Sequence, residues 1–199
     1  GEGAHFFFFF YLSEHQVRSP FEVLQHSQWW HRVFQKIQFG GRPVVAALHG
    51  AVVGGGLELA TSTHVRVADS TTFYQLPEGQ RGIFVGGGAS VRVAKIIGPD
   101  RMTEMMLTGR SYNAEEGLRL GLSHYVVAAG QALDEAFRLA RQIASNAPLS
   151  NWASINAVAH IGDMSMANGL YTESMAAAIA QSSDEAHRRM QEFLNRKKG

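Results

Sequence analysis

Apolar residues recur at helical spacing near the start of this chain: Phe21, Leu24, Trp29, Val33, Phe34 and Ile37. The pattern predicts a helix from Pro20 to about Phe39, stopped by Gly40-Gly41. It then changes to a continuous apolar run, Pro43-Val44-Val45-Ala46-Ala47-Leu48, which predicts a buried strand. Gly50 turns the chain, and Gly54-Gly55-Gly56 lead into a helix beginning at Leu57-Glu58-Leu59-Ala60. Short strands are predicted at Val65–Ala68, Thr72–Tyr74 and His124–Val127. Between them, Gly86-Gly87-Gly88 opens an amphipathic stretch from Ala89 to Ile97. Asp100–Leu107 predicts a helix ending at Gly109, and Asn113 caps a helix Ala114–Leu120 that stops at Gly121.

From Ala132 onward the pattern is almost entirely helical. Leu133, Phe137, Ala140 and Ile143 form one apolar stripe, and Pro148 interrupts before the next helix. Ser182 and Glu185 predict a capping box, and Ala186, Met190, Phe193 and Leu194 an apolar face on the last helix. Alternating strands and helices followed by helices alone predict an α/β core with a helical tail. One run resists this scheme: Phe6 to Phe10 are five consecutive phenylalanines, followed by Tyr11. It is far shorter than the roughly 20 residues of a membrane span and reads as a buried strand.

Composition narrows the function classes. The chain has 199 residues, 45% hydrophobic, with a formal net charge of +1, which argues against a polyanion-binding surface, so no nucleic-acid partner is expected. No apolar run is long enough to cross a membrane, so none is expected as a partner either. The absence of cysteine excludes disulfides and thiolate chemistry, and fits a reducing, cytoplasmic setting. The nine histidines form no recognisable metal signature, so no metal is expected.

The chemistry-bearing residues are Glu58, just after the triple glycine, and Glu78, just after Pro77. Glycines let a main chain approach a ligand closely, and a helix beginning there directs free N–H groups at the same spot. A phosphate or an oxygen gaining negative charge would be stabilised by such donors. No Lys-Ser/Thr pair follows, so a P-loop is excluded, and Gly-x-Gly-x-x-Gly is not matched. If both carboxylates face one cavity, repulsion should leave one charged and one neutral. Water held between them could then give a proton to one while carbon receives a proton from the other. That suits addition of water to a carbonyl-activated double bond.

The run Ala46-Ala47-Leu48-His49-Gly50-Ala51-Val52-Val53-Gly54-Gly55-Gly56-Leu57-Glu58-Leu59-Ala60 resembles the signature of the crotonase (enoyl-CoA hydratase/isomerase) superfamily. The resemblance continues through Phe73–Glu78, Leu107–Arg110, Glu116–Leu122 and Phe193–Lys197. It implies a crotonase-like ββα spiral α/β core over residues 1–127 and a C-terminal helical trimerisation region over 128–199. It also implies an acyl-CoA thioester substrate, no cofactor beyond the coenzyme A moiety of that substrate, and a homotrimer or homohexamer. By resemblance, the Gly55 N–H forms half of an oxyanion hole, Glu58 activates water and Glu78 delivers the proton to the α-carbon. Phe193 and Arg196 match positions that hold the adenine part of coenzyme A, Arg196 replacing the usual lysine. Gly86–Gly88 match a loop that closes over the acyl chain, whereas Arg92, Lys95 and Arg101 read as solvated helix charges. Trp29 and Trp30 pack a helix or line the acyl pocket.

Two departures qualify the match. Phe7 to Tyr11 stand where relatives carry Cys/Ser-Ala-Gly-x-Asp, which makes the Phe8 N–H the second oxyanion donor. Either the residues assigned there are in error or that half of the hole is damaged; the pattern's return at Leu12-Ser13-Glu14-His15 favours the first. The amino-terminal strands of relatives are also unmatched, so the chain reads as a fragment. Beside hydration stand an isomerase or decarboxylase using one glutamate, and a catalytically silent assembly or RNA-binding relative.

Overall fold

The structure is a computed structural model that describes residues 3–6 and 19–196. Helix α1, Pro20–Phe39, begins at a capping box: Ser19 Oγ accepts the Glu22 N–H and the Glu22 carboxylate accepts the Ser19 N–H. Two ββα turns then follow. Strands β1 (Val45–Leu48) and β2 (Ala51–Val53) lead into α2 (Gly55–Thr61), and β3 (Val65–Asp69) and β4 (Phe73–Gln75) into a short 3-10 helix, Glu78–Arg81. Helices α3 (Ala89–Ile97) and α4 (Pro99–Thr108), strand β5 (Tyr112–Asn113), helix α5 (Ala114–Leu120) and strand β6 (Tyr125–Val127) complete the core.

Each turn contributes one strand to each of two sheets. One sheet has the order β1-β3-β6, all parallel, and the other β2-β4-β5, with β2 parallel and β5 antiparallel to β4. This is the α/β spiral expected from the sequence. Strands β2 and β5 were not foreseen, because runs of three and two residues are too short for periodicity to register.

Contacts divide the described residues into two units. The first takes in the residues up to Gly40 together with Val44–Ala140, the second Gly41–Pro43 together with Arg141 onward. In the first, Leu48, Val52, Leu57, Tyr74, Leu76, Val93, Met105 and Leu122 form a fully buried cluster. Each such large apolar side chain contributes roughly 1.5–3 kcal/mol by leaving water. The Arg66 guanidinium is buried with no carboxylate partner among the described residues, donating instead to the carbonyls of Thr63, Gly121 and Leu122. It thereby ties β3 to the end of α5, and burial pulls its pKa down to about 10.

Helix α6, Ala132–Ala144, corrects one expectation. It buries Ala132, Ala136 and Leu139 against Val67, while Leu133 and Phe137 of the predicted stripe lie 58% and 54% exposed. Two alanines on the inner face let the helix approach the β1-β3-β6 sheet more closely than larger side chains would allow. The second unit holds α7 (Pro148–Ile161), α8 (Met166–Gln181) and α9 (Asp184–Arg196). The predicted box at its last helix does not form; a single cap bond at Ser183 stands in its place. Ser182 closes α8 by donating to the Ile179 carbonyl, and Ser183 Oγ accepts the Ala186 N–H. Arg188 and Arg189 occupy the Glu185 carboxylate. Among the described residues, no helix is long and apolar enough to cross a membrane.

The fit of α5 on β4 is set by Gly117, where an added Cβ would lie 2.1 Å from the fully buried Tyr74 ring. Alanine in a helix interior normally gains about 1 kcal/mol over glycine. Here Gly117→Ala is expected to destabilise by about 1–3 kcal/mol through overpacking, read as a lower urea midpoint with unchanged slope.

Candidate active site

Glu58 lies in the first turn of α2, and the backbone before it is shaped to expose that helix end. Gly54 caps the helix at φ 55°, and its carbonyl accepts the N–H groups of both Leu57 and Glu58. The amides of Gly55 and Gly56 therefore have no carbonyl one turn back and point off the helix end.

The Glu58 side chain, 6% exposed, is held by the second glycine run, a role the sequence did not reveal. Its Oε1 accepts the N–H of Gly87 at 2.8 Å and of Ala89 at 3.1 Å. A Cβ on Gly87 would stand 2.5 Å from Glu58 Oε2 and 2.8 Å from a carbon of the Phe34 ring. Glycine is thus needed there for space. Two converging amides at the start of α3 solvate the carboxylate charge in place of water.

Glu78 is the first residue of the 3-10 helix, which α4 braces from one side. Gly79 packs against the Met106 carbonyl, and Gln75 Nε2 donates to the carbonyl of Gly109 at the end of α4. The Glu78 carboxyl is buried, and its Oε1 lies 2.8 Å from where a Cβ on Gly54 would stand. Its Oε2 is fully buried with no hydrogen-bond partner among the described residues. Burial first, and then the charge of Glu58, pushes the Glu78 carboxyl up to about 7; its own backbone N–H and Arg81 act the other way.

Glu58, Glu78 and Gly55 thus all lie in the first unit, one carboxylate solvated by amides and the other raised to about 7. Phe193 lies in the second unit, on α9, with 54% of its surface exposed. Arg196 is the last residue of α9. The Phe8 N–H lies outside the described residues, as does the aromatic run beyond Phe6. The Phe6 N–H itself donates to the His49 carbonyl at 2.8 Å, beside the β1–β2 junction. Among the described residues, no three histidine or acidic side chains gather as a metal site.

Arg92 corrects the reading of it as a solvated charge. It is partly buried and donates to Gln38 Oε1 and to the Gly87 carbonyl. Nothing in its spacing distinguishes it from a surface residue. Trp30 packs on α1 edge-on against Trp29 and tilted against Phe34, its Nε1 donating to His26 Nε2.

The sequence profile of the enoyl-CoA hydratase/isomerase family matches residues 17–199. A short-chain-enoyl-CoA hydratase of Clostridium acetobutylicum is 30% identical over 187 residues, covering 94% of this chain and 72% of that protein. A carnitinyl-CoA dehydratase of Proteus mirabilis is 41% identical over 109 residues, covering 55% of this chain and 42% of the relative. The chain spans about half the length of the first curated relatives it matches. Among solved structures, a "putative enoyl-CoA hydratase" from Rhodopseudomonas palustris CGA009 superposes with a TM-score of 0.95 at 51% identity, covering 98% of this chain and 76% of that one.

The raised carboxyl has a consequence for stability. Glu78 binds its proton more tightly folded than unfolded, so its contribution is complete below 4.5 and is lost as pH rises through about 7. Glu78→Gln keeps the shape without the charge. Its stability relative to the unsubstituted protein is expected to rise by on the order of 2 kcal/mol between about pH 5 and about pH 8. Urea denaturation at the two pH values measures this, and a pH-independent difference would contradict it.

Proposed function

The chain belongs to the enoyl-CoA hydratase/isomerase family, and from that premise we propose that it adds water across the 2,3 double bond of an acyl-CoA thioester. The observation that carries this reading is the buried pair itself: two carboxylates beside an open helix end, one held at about 7 by burial and by its neighbour. An isomerase or decarboxylase that moves one proton needs only one of them.

In the proposed reaction the thioester carbonyl oxygen accepts the Gly55 N–H. Glu58 takes a proton from water as the water oxygen bonds to the β-carbon. The electron pair of the double bond moves toward the carbonyl, and negative charge gathers on the oxygen beside Gly55. Glu78 then gives its proton to the α-carbon, completing net addition of H and OH. An acid near 7 suits that step, because it is substantially protonated at neutral pH yet releases its proton readily. The reaction needs no group beyond the coenzyme A part of its own substrate.

The same residues in reverse eliminate water from a 3-hydroxyacyl thioester, and the 41% identity to a carnitinyl-CoA dehydratase favours testing that direction too. A homotrimer or homohexamer is also part of the proposal. Helices α7 and α8 carry apolar residues on every side rather than on one face, yet Ile155 and Gly169 are the residues they bury among those described, and Trp152, Val158, Leu170 and Tyr171 stay exposed. In such an assembly Phe193 and Arg196 would hold the adenine of coenzyme A at a subunit boundary.

The test is loss of 2-enoyl thioester absorbance with crotonyl-CoA. Glu58→Gln and Glu78→Gln are each expected to lower kcat by about 10²–10⁴-fold. With the acid form of Glu78 required, kcat/KM for hydration should fall as pH rises above about 7. Intact turnover in Glu58→Gln would move the reading to isomerisation or decarboxylation, and an inactive protein that binds RNA would favour the silent relative. Light scattering on the full chain is expected to give three or six copies.

A further inference from the structure

Three successive peptide units form the cradle of Glu58, and each is tied down from another direction. In the first, the Gly87 N–H donates to Glu58 Oε1 at 2.8 Å while the Gly86 carbonyl accepts from Ser27 Oγ, on α1, at 2.6 Å. In the second, the Gly87 carbonyl accepts from Arg92 Nη1 at 3.2 Å. In the third, the Ala89 N–H donates to Glu58 Oε1 at 3.1 Å while the Gly88 carbonyl accepts the N–H groups of Val91 and Arg92 in the first turn of α3. Donors to the carboxylate thus alternate with anchors on the frame.

Arg92 is the anchor of the middle unit, and it is itself fixed. Its Nε donates at 2.7 Å to Gln38 Oε1, on the last turn of α1. The Gln38 backbone carbonyl lies 2.8 Å from His64 Nε2, while His64 Nδ1 accepts the Val44 N–H, which leaves Nε2 protonated to donate to Gln38. The guanidinium is partly buried, and the charge of Glu58 acts on it favourably, countering the cost of that burial. Gly88, at φ +110°, makes room for it, since a Cβ there would stand 2.4 Å from Arg92 Nη1.

A run of three glycines has more backbone conformations open to it than other sequences, and only a narrow set aims two amides at one oxygen. We infer that Arg92 is a positioning residue: by bridging Gln38 to the Gly87 carbonyl it selects the loop conformation that holds Glu58 in place. Ser27 does the same for the preceding peptide unit. The catalytic part of this inference rests on the role proposed for Glu58. The clamp itself does not.

Two measurements on Arg92→Met separate these parts. Amide hydrogen exchange, read by NMR, is expected to speed up at Gly87 and Ala89 by at least about tenfold, with the exchange of the β1-β3-β6 core unchanged. In the crotonyl-CoA assay, kcat is expected to fall about 100-fold with KM within about threefold. Introduced into Glu58→Gln, the same substitution is expected to have almost no further effect, because its action runs through that carboxylate. A purely structural role would instead multiply the two losses. Arg92→Lys, which keeps the charge but cannot bridge two acceptors as a fork, should fall between and serves if Arg92→Met does not fold. Unchanged exchange at Gly87 and Ala89 in the folded variant, or multiplicative losses with Glu58→Gln, would overturn the inference. Should the unsubstituted protein fail to turn over a 2-enoyl thioester, the hydratase reading falls while the exchange data still decide the clamp.

Discussion

Two carboxyl groups are buried close enough for the charge of one to act on the other, and the surrounding structure is arranged around that conflict. Burying one unpaired carboxylate costs several kcal/mol, and burying two side by side costs more. The fold resolves the conflict asymmetrically. Glu58 receives two backbone amides on one oxygen, whereas Glu78 has a buried oxygen with no hydrogen-bond partner among the described residues and holds its proton up to about pH 7. Both glycine runs follow from the same constraint. Gly54 leaves space for Glu78 Oε1, and Gly87 leaves space for Glu58 Oε2 against the Phe34 ring.

The spiral of strands supplies the rigidity that this requires. Parallel pairing of β2 with β4 runs through the Gly54 N–H, which donates to the Gln75 carbonyl, so the two segments that carry Glu58 and Glu78 continue from neighbouring strands. From there the chain enters α2 on one side and the 3-10 helix on the other. Helix α1 completes the frame: Ser27, Phe34 and Gln38, spaced along it, reach Gly86, Gly87 and Arg92. Precision at the carboxylates thus comes from regular elements meeting at glycine-rich junctions.

Much of this was legible in the sequence. Periodicity and breakers located α1 and α3 to α5 closely, because their apolar stripes are long and their ends carry Ser, Asn, Pro or Gly. Glu58, Glu78 and Gly55 stood out because a glycine run or a proline precedes each carboxylate. What escaped had no local signature. Strands β2 and β5 are too short, the inner face of α6 is made largely of alanines that do not announce burial, and the box assigned to Ser182 does not form because α8 runs through Gln181 and Ser182 closes it, leaving Ser183 to cap α9. Arg92 and the amides of Gly87 and Ala89 act through contacts 29 to 54 residues apart, which only the folded chain brings together.

The most direct test of the conflict at the centre of the site is the proton affinity of Glu78 itself. A carbon-13 NMR titration of its carboxyl, with Glu58→Gln measured alongside, reads this without any substrate. The predicted result is a midpoint at about 7 in the unsubstituted protein, moving downward once the neighbouring charge is removed. A midpoint at the ordinary value of 4.5, unmoved by Glu58→Gln, would mean that the two groups neither share a buried environment nor feel one another.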